Sequence, residues 1–344
     1  MSSITRLIIQ IKVFDSYDTR GHFKMAKRLA FIFVVIQAAS AIESLRFLAV
    51  GDWGGMPVFP YATPIETAVA KQMAEVTEAY QSSFNLALGD NFYTNGVKDV
   101  NDKRFKDTFE DVYHYPSLVN PWYLVAGNHD HYGNASAQIA YSQKSKRWNF
   151  PNFYYGLSFP IPGGKKVDII MIDTVLLCGN TGYDVEGDQP HGPTDIKASD
   201  DQWTWLDLQL QSSNADYLLV AGHFPVYSIA EHGPTACLVQ RLKPMLYKYG
   251  VTAYFCGHDH SLQHISSPEG GRTVDYFVTG TGNLVQNNTD HQNDIPKNTL
   301  KFSWAELAGL GGFSYIEATP QNMTMTFVDG RKKPLYTYTM FPRK

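Results

Sequence analysis

Five short, mostly apolar runs in this chain end alike, each in a glycine followed at once by a side chain able to hold a metal ion. Phe47-Leu48-Ala49-Val50 leads into Gly51-Asp52, and Asn85-Leu86-Ala87-Leu88 into Gly89-Asp90. Tyr123-Leu124-Val125-Ala126 leads into Gly127-Asn128-His129-Asp130. Leu218-Leu219-Val220-Ala221 leads into Gly222-His223, and Ala253-Tyr254-Phe255-Cys256 into Gly257-His258-Asp259-His260. Runs of this length, bounded by turn residues, read as buried strands. In α/β sheets ligands bind outside the carboxyl ends of the strands, so five such exits converge on one crevice. Glycine at each exit permits a sharp turn and close backbone approach.

The surrounding pattern fits layered α/β architecture. Strand-like runs at 45–50, 84–88, 122–126, 167–172, 217–221 and 251–256 alternate with helical ones at 65–80, 102–112, 200–210 and 238–249. After His260 strands follow one another, at 274–279, 313–318, 323–328 and 335–341, which predicts a second, more antiparallel sheet and a β-sandwich flanked by helices. No repeat or low-complexity tract divides the region, so residues 42–344 are expected to form a single domain. Of the 344 residues, 44% are hydrophobic and 18% charged, which excludes a disordered chain. The net charge of -4 shows no basic face of the kind nucleic acid requires.

Residues 29–39 are apolar apart from Gln37, follow Lys27 and Arg28, and lead into Ala39, Ser40 and Ala41. This is the layout of a secretory signal peptide, and the run is too short to cross a bilayer. Residues 1–41 are therefore expected to be a leader, with Met25 as its working start and no stable membrane anchor after processing. Cleavage after Ala41 removes six positive and two negative charges and leaves a product of charge -8. Export to the extracellular space or the lysosome makes Asn134, Asn287 and Asn322, each in an Asn-X-Ser/Thr triplet, candidate glycosylation sites. It also allows one disulfide among Cys178, Cys237 and Cys256. Cys256 sits within a strand pattern, so the pair expected is Cys178 with Cys237, both in loop-like surroundings.

The exits deliver Asp52, Asp90, Asn128, His223, His258 and His260, and Tyr93 follows Asp90 by three residues. Oxygen and imidazole donors in this mixture suit iron, manganese or zinc rather than a soft thiolate site. Six or seven ligands exceed what one ion uses while keeping an open position, which points to a binuclear centre. Such a centre, with a bridging carboxylate, activates water and clamps an in-line phosphoryl displacement.

In order and spacing, Gly51-Asp52-Trp53-Gly54, Gly89-Asp90-Asn91-Phe92-Tyr93, Gly127-Asn128-His129-Asp130, Gly222-His223-Phe224-Pro225 and Gly257-His258-Asp259-His260 resemble the metallophosphoesterases. A tyrosine at the offset of Tyr93 makes the chain similar, within them, to the purple acid phosphatases. Ser228-Ile229-Ala230-Glu231-His232-Gly233-Pro234-Thr235 and Val251-Thr252-Ala253-Tyr254 resemble the small animal form, without the extra N-terminal domain of the large plant enzymes. The resemblance runs from about residue 45 to 343 and implies a four-layer metallophosphoesterase-type β-sandwich of mixed sheets.

Carried over residue by residue, it implies that Asp52, Tyr93 and His260 hold a ferric ion. It gives Asn128, His223 and His258 to a divalent one (iron, zinc or manganese), with Asp90 bridging the two. A phenolate has an ordinary pKa near 10, so its coordination in acid calls for a hard, highly charged cation. His129 and His232 match residues lining the substrate site, with phosphate binding and protonation of the leaving alkoxide as their expected roles. The activity implied is that of an acid phosphatase acting as a monomer on phosphate monoesters, small ones or phosphoproteins. Hydroxide on or between the ions would attack phosphorus directly, with no phosphoenzyme.

Residues 179–199 carry Asp184, Glu186, Asp188 and Asp195. In the resembling animal enzymes a loop starting at the matching Cys-Gly-Asn covers and represses the site until proteolysis removes it. Here an acidic side chain of the loop reaches the metals, or the loop is only solvated; both readings stay open. So do two other functions, a metal-dependent phosphodiesterase or nucleotide hydrolase and a secreted non-catalytic binding protein.

Overall fold

The structure, a computed structural model, describes residues 44–182 and 188–343. The leader, with its Met25 start, lies outside the described residues, as do Asp184 and Glu186. The chain first lays down β1 (Leu45–Val50), β2 (Phe84–Leu88), β3 (Trp122–Val125) and β4 (Trp148–Asn149). It then builds a second sheet from β5 (Tyr155–Ile161), β6 (Lys165–Met171), β7 (Tyr217–Ala221), β8 (Ala253–Cys256), β9 (Leu262–Glu269), β10 (Arg272–Thr279) and β11 (Leu300–Trp304). It returns to the first with β12 (Gly312–Ala318), β13 (Met323–Asp329) and β14 (Pro334–Met340). The orders are β14-β13-β12-β1-β2-β3-β4 and β11-β9-β10-β8-β7-β6-β5.

The central strands pair in parallel, β1 to β2 to β3 and β6 to β7 to β8. Every residue of β2, β7 and β8 is buried. Strands covered on both faces read as continuous apolar runs, which is why these three were visible in the sequence. Helix α1 (Pro64–Tyr80) packs on β1 and β12. The short α2 (Asn128–Tyr132) and α4 (Thr174–Cys178) follow strand ends, and α3 (Ala135–Tyr141) follows α2. On the second sheet α5 (Ile196–Ser212) packs against β6 and α6 (Ala236–Lys248) against β10. The result is the expected sandwich of mixed sheets between helical layers.

The second sheet is present, but the strands after His260 do not all belong to it as expected. β9 to β11 extend the second sheet, whereas β12 crosses back to pair antiparallel with β1, setting Leu45 opposite Ala318. Alternation along a strand tells which face it buries but not which neighbour it meets. β9 itself was hidden because it buries Gln263, His264, Ser266 and Ser267. Gln263 is satisfied there by Ser228, Ser261 and the Ile229 N–H. The helix expected at 102–112 is a π-helical turn, Phe105–Glu110. It sends Phe105 and Phe109 into an aromatic cluster in which the Trp53 ring lies 5.7 Å from Phe109, 5.4 Å from Tyr113 and 5.7 Å from Trp122. That cluster holds Trp53, the residue next to Asp52. Cys178 and Cys237 are bonded, at the C-terminal end of α4 and in the first turn of α6 rather than in loops. Cys256 is free and buried.

Helix α1 starts with a reciprocal cap. The Glu66 N–H donates to Thr63 Oγ1 at 3.1 Å, the Thr63 N–H to Glu66 Oε2 at 3.3 Å, and Pro64 opens the first turn. Burial pushes the Glu66 carboxyl well above its ordinary value, against the pull of the Thr63 N–H and Arg104. A carboxyl that titrates higher folded than unfolded adds stability that is complete below the unfolded value and is lost as pH rises toward the folded one. Glu66→Gln keeps the cap and removes that loss. Urea unfolding across pH should find the variant equal to the native protein near pH 4. It should become relatively more stable above that, by up to about 1.4 kcal/mol per pH unit. A constant difference across pH counts against the account.

Candidate metal centre

The five exits meet. At one end of the crevice the Tyr93 hydroxyl donates to Asp52 Oδ1 at 3.0 Å and lies 3.0 Å from His260 Nε2, with His260 Nε2 3.6 Å from Asp52 Oδ1. At the other end His223 Nε2 lies 2.9 Å from Asn128 Oδ1 and 3.4 Å from Asp90 Oδ1. The ligand atoms of Asp90, His223 and His258 all fall within 4.8 Å of one another. The Asp90 carboxylate also neighbours Tyr93 and so touches both groups. His129 and His232 stand over them, His129 Nε2 being 4.0 Å from Asp90 Oδ2 and the His232 ring 4.0 Å from that of His258. A cavity of about 500 Å³ opens above, lined among others by Asp90, Asn128, His129, His232, His258 and His260.

Local backbone makes this density possible. Asp52, Asp90 and His258, each directly after an exit glycine, hold left-handed φ values of 57°, 51° and 72°. For a non-glycine residue that geometry costs on the order of 1–3 kcal/mol and gathers at functional sites. The glycines clear the space: a Cβ at Gly127 would lie 2.2 Å from Asp90 Oδ1, and one at Gly257 would lie 2.3 Å from Asp52 Oδ2.

Burial raises the Tyr93 hydroxyl well above 10, and the Asp52 and Asp90 carboxylates add to the shift. Burial works against charge on Asp90 as well, but His223 and His129 hold that carboxyl low. On His223 burial is outweighed by Asp90, and its pKa rises to about 9. Burial and the neighbouring imidazoles keep His258 well below 6.5, a neutral ring with a lone pair to give. The proton on His223 thus offsets only part of the charge of two buried carboxylates while Tyr93 stays neutral, and multivalent cations are the species that can supply the rest. The donor set suits hard and borderline ions.

Several residues that hold these groups carried no signal in the sequence. Asp130 turns away from the cavity and accepts from the Gly127 N–H at 2.8 Å, the Asn91 N–H at 3.0 Å and Gln138 Nε2 at 2.7 Å, tying two exits together. Arg104 donates to the carbonyls of Tyr93 and Gly54, at 2.5 and 2.6 Å, and so joins the loops after β1 and β2. Asp259 accepts from His232 Nδ1 at 2.8 Å. The motifs Gly-Asn-His-Asp and Gly-His-Asp-His contained Asp130 and Asp259 without telling their roles.

Other expectations fall elsewhere. Asn134 and Asn287 are exposed and Asn322 half-buried, all away from the cavity lining. Asp195 caps α5 through the Ala198 N–H, and Asp188 pairs with His191 at 2.9 Å and accepts from the Gly182 N–H. Neither Asp188 nor Asp195 reaches the donors, and Asp184 lies outside the described residues. The segment nonetheless borders the site: Thr181 and Gly182 line the cavity, and Asn180 Nδ2 donates to the Asn128 carbonyl at 3.2 Å.

Residues 45–262 match the family model described as calcineurin-like phosphoesterase. The chain is 50% identical over 309 residues to tartrate-resistant acid phosphatase type 5 of Homo sapiens, covering 89% of this chain and 94% of that protein. It is 36% identical over 246 residues to purple acid phosphatase 7 of Arabidopsis thaliana, covering 70% of each. Among solved structures, GAP50, described as the anchor in the inner membrane complex of Plasmodium, superposes with a TM-score of 0.73 at 25% identity, over 88% of this chain and 90% of that one.

Gly127→Ala tests the spatial argument. The added methyl collides with Asp90 and His223, so metal retained per chain after dialysis should correspond to an affinity lowered by at least about 10-fold. Urea stability should fall by about 1–3 kcal/mol. Native metal content in the variant would show that the crevice is looser than its geometry.

Proposed function

The chain belongs to the calcineurin-like phosphoesterases and, within them, to the purple acid phosphatases, and on that footing we propose how its residues serve phosphate monoester hydrolysis. The family implies a dinuclear metal centre, and the donors present fit one. In our reading Asp52, Tyr93 and His260 hold a ferric ion, Asn128, His223 and His258 hold a divalent ion, and Asp90 bridges. The observation that supports this partition is the placement of a buried tyrosine hydroxyl between Asp52 and His260, with a second, nitrogen-rich group across Asp90. When bound, such a pair supplies a nucleophile from water and neutralises phosphate oxygens.

The rest falls to the side chains. His129 and His232 are anchored through Nδ1, to the Thr94 carbonyl at 2.7 Å and to Asp259 at 2.8 Å. Both therefore turn Nε2 toward the cavity. His129 is assigned to hold a phosphate oxygen. His232, with a carboxylate behind it, is assigned to hand a proton to the departing alkoxide. The disulfide suits an oxidising compartment, and with the leader it supports passage through the secretory pathway to the lysosome or the cell exterior. Among the described residues no helix is long and apolar enough to cross a membrane.

Visible absorption with metal quantification, run beside p-nitrophenyl phosphate hydrolysis across pH and with tartrate present, tests the reading. The mature protein should carry two ions per chain, absorb in the visible and prefer acid. Tyr93→Phe should bleach the band, and a variant that keeps both colour and metal removes the ferric assignment. His232→Ala should slow alkyl phosphates by about 10²-fold. It should slow p-nitrophenyl phosphate far less, because that leaving group needs no proton. Equal losses on both substrates would take the proton-donor role from His232. Faster turnover of diesters than monoesters would favour the phosphodiesterase alternative.

A further inference from the structure

Between β10 and β11 one residue holds a candidate ligand twice, once through its backbone and once through its side chain. The Gln286 backbone N–H donates to the His260 carbonyl at 2.9 Å, and Gln286 Oε1 accepts from His260 Nδ1 at 2.5 Å. The other end of the same amide donates, through Nε2, to Glu231 Oε2 at 2.9 Å. Glu231, His232, His260 and Gln286 all border the cavity. The segment that follows braces the same loop: the His291 N–H donates to the Ile229 carbonyl at 3.1 Å, and the His291 ring fills the space beside Gly233.

These contacts fix where a proton sits. A carboxylate only accepts, so Glu231 turns the amide nitrogen toward itself and the amide oxygen toward His260. An acceptor facing Nδ1 keeps the hydrogen there. Nε2, beside Tyr93 and Asp52, is then the nitrogen whose lone pair a bound ion would take. Reversing the amide would set a donor against His260 and leave Glu231 facing an oxygen.

We propose that Gln286 is a positioning residue of the metal centre: with Glu231 it sets the tautomer and ring orientation of His260, and it joins the tyrosine side of the centre to the loop carrying His232. The inference rests on the reading of His260 as a metal ligand. Outer partners of metal-bound histidines are usually carboxylates, backbone carbonyls or water. Here a neutral amide does that work, and a carboxylate one step further out gives it direction.

The test uses the full mature protein and the variants Gln286→Ala, Gln286→Met, Gln286→Glu, Glu231→Gln and the double variant Gln286→Glu/Glu231→Gln. Iron affinity is read by competition with a chelator, and the visible band by absorption. Unfolding of the metal-free forms checks the fold, with Gln286→Met, which keeps the volume, standing in if the alanine variant is unstable. Loss of the amide should weaken iron binding by about 10–100-fold and move the band. Gln286→Glu keeps an acceptor for His260 but sets two carboxylates together, so it should also lose affinity. The double variant restores a donor on residue 231 against an acceptor on 286 and should recover it. Native affinity and spectrum in both Gln286→Ala and Gln286→Met, or no recovery in the double variant, overturns the proposal. A native protein without metal or colour would instead overturn the functional reading, and this inference with it.

Discussion

Two carboxylates buried without counter-charge are among the most costly things a protein interior can contain, and Asp52 and Asp90 are both buried. The architecture around them is a set of answers to that cost. Parallel strands deliver their carboxyl ends to one place, so residues from positions 52 to 260 meet without any long connection reaching across. Imidazoles from the ends of β7 and β8 then stand beside carboxylates from the ends of β1 and β2, and the His258 backbone N–H donates to Asp52 Oδ2 at 2.8 Å. Among these groups the proton held by His223 offsets part of that charge, and the neutral Tyr93 adds none of its own. Positive ions fit the same positions and relieve the strain in charge, while the left-handed turns at Asp52, Asp90 and His258 remain as its cost in backbone conformation.

A common device orients the rings. His223, His129, His232 and His260 are each held through Nδ1, by the Leu88 carbonyl, the Thr94 carbonyl, Asp259 and Gln286 respectively. Each therefore presents Nε2 inward. The partners differ in charge, and that difference separates otherwise similar histidines. Of these four, only His232 has a carboxylate as its Nδ1 partner, an arrangement that steadies an imidazolium before it gives up its proton.

How much of this could be read from the sequence follows from distance along the chain. Strand, glycine and donor are neighbours, so all five exits were legible, as were the strands at 84–88 and 217–221, whose bounds match. Asp130, Arg104 and Gln286 were not, because each also acts far along the chain, Arg104 on Gly54 50 residues away, Asp130 on Asn91 39 away and Gln286 on His260 26 away, often on a backbone carbonyl or N–H that every residue type possesses. Aspartate next to His129 looks like one more ligand until its side chain is seen holding the Asn91 and Gly127 N–H groups. Sheet membership was lost for a related reason: nothing within β12 records that its partner is β1.

The same division bears on how such a site tolerates change. Residues at the strand ends are constrained from several directions at once, since Gly127 must be small for Asp90, and Asp90 must turn through a left-handed φ to reach His223. The ring anchors are constrained by hydrogen-bond polarity alone. An acceptor behind His260 could be an amide, a carboxylate or a carbonyl without moving the backbone, and each choice would alter how much electron density the ring gives its ion. The donors thus determine that ions fit at all, and the anchors are where the chain has freedom to set how those ions behave.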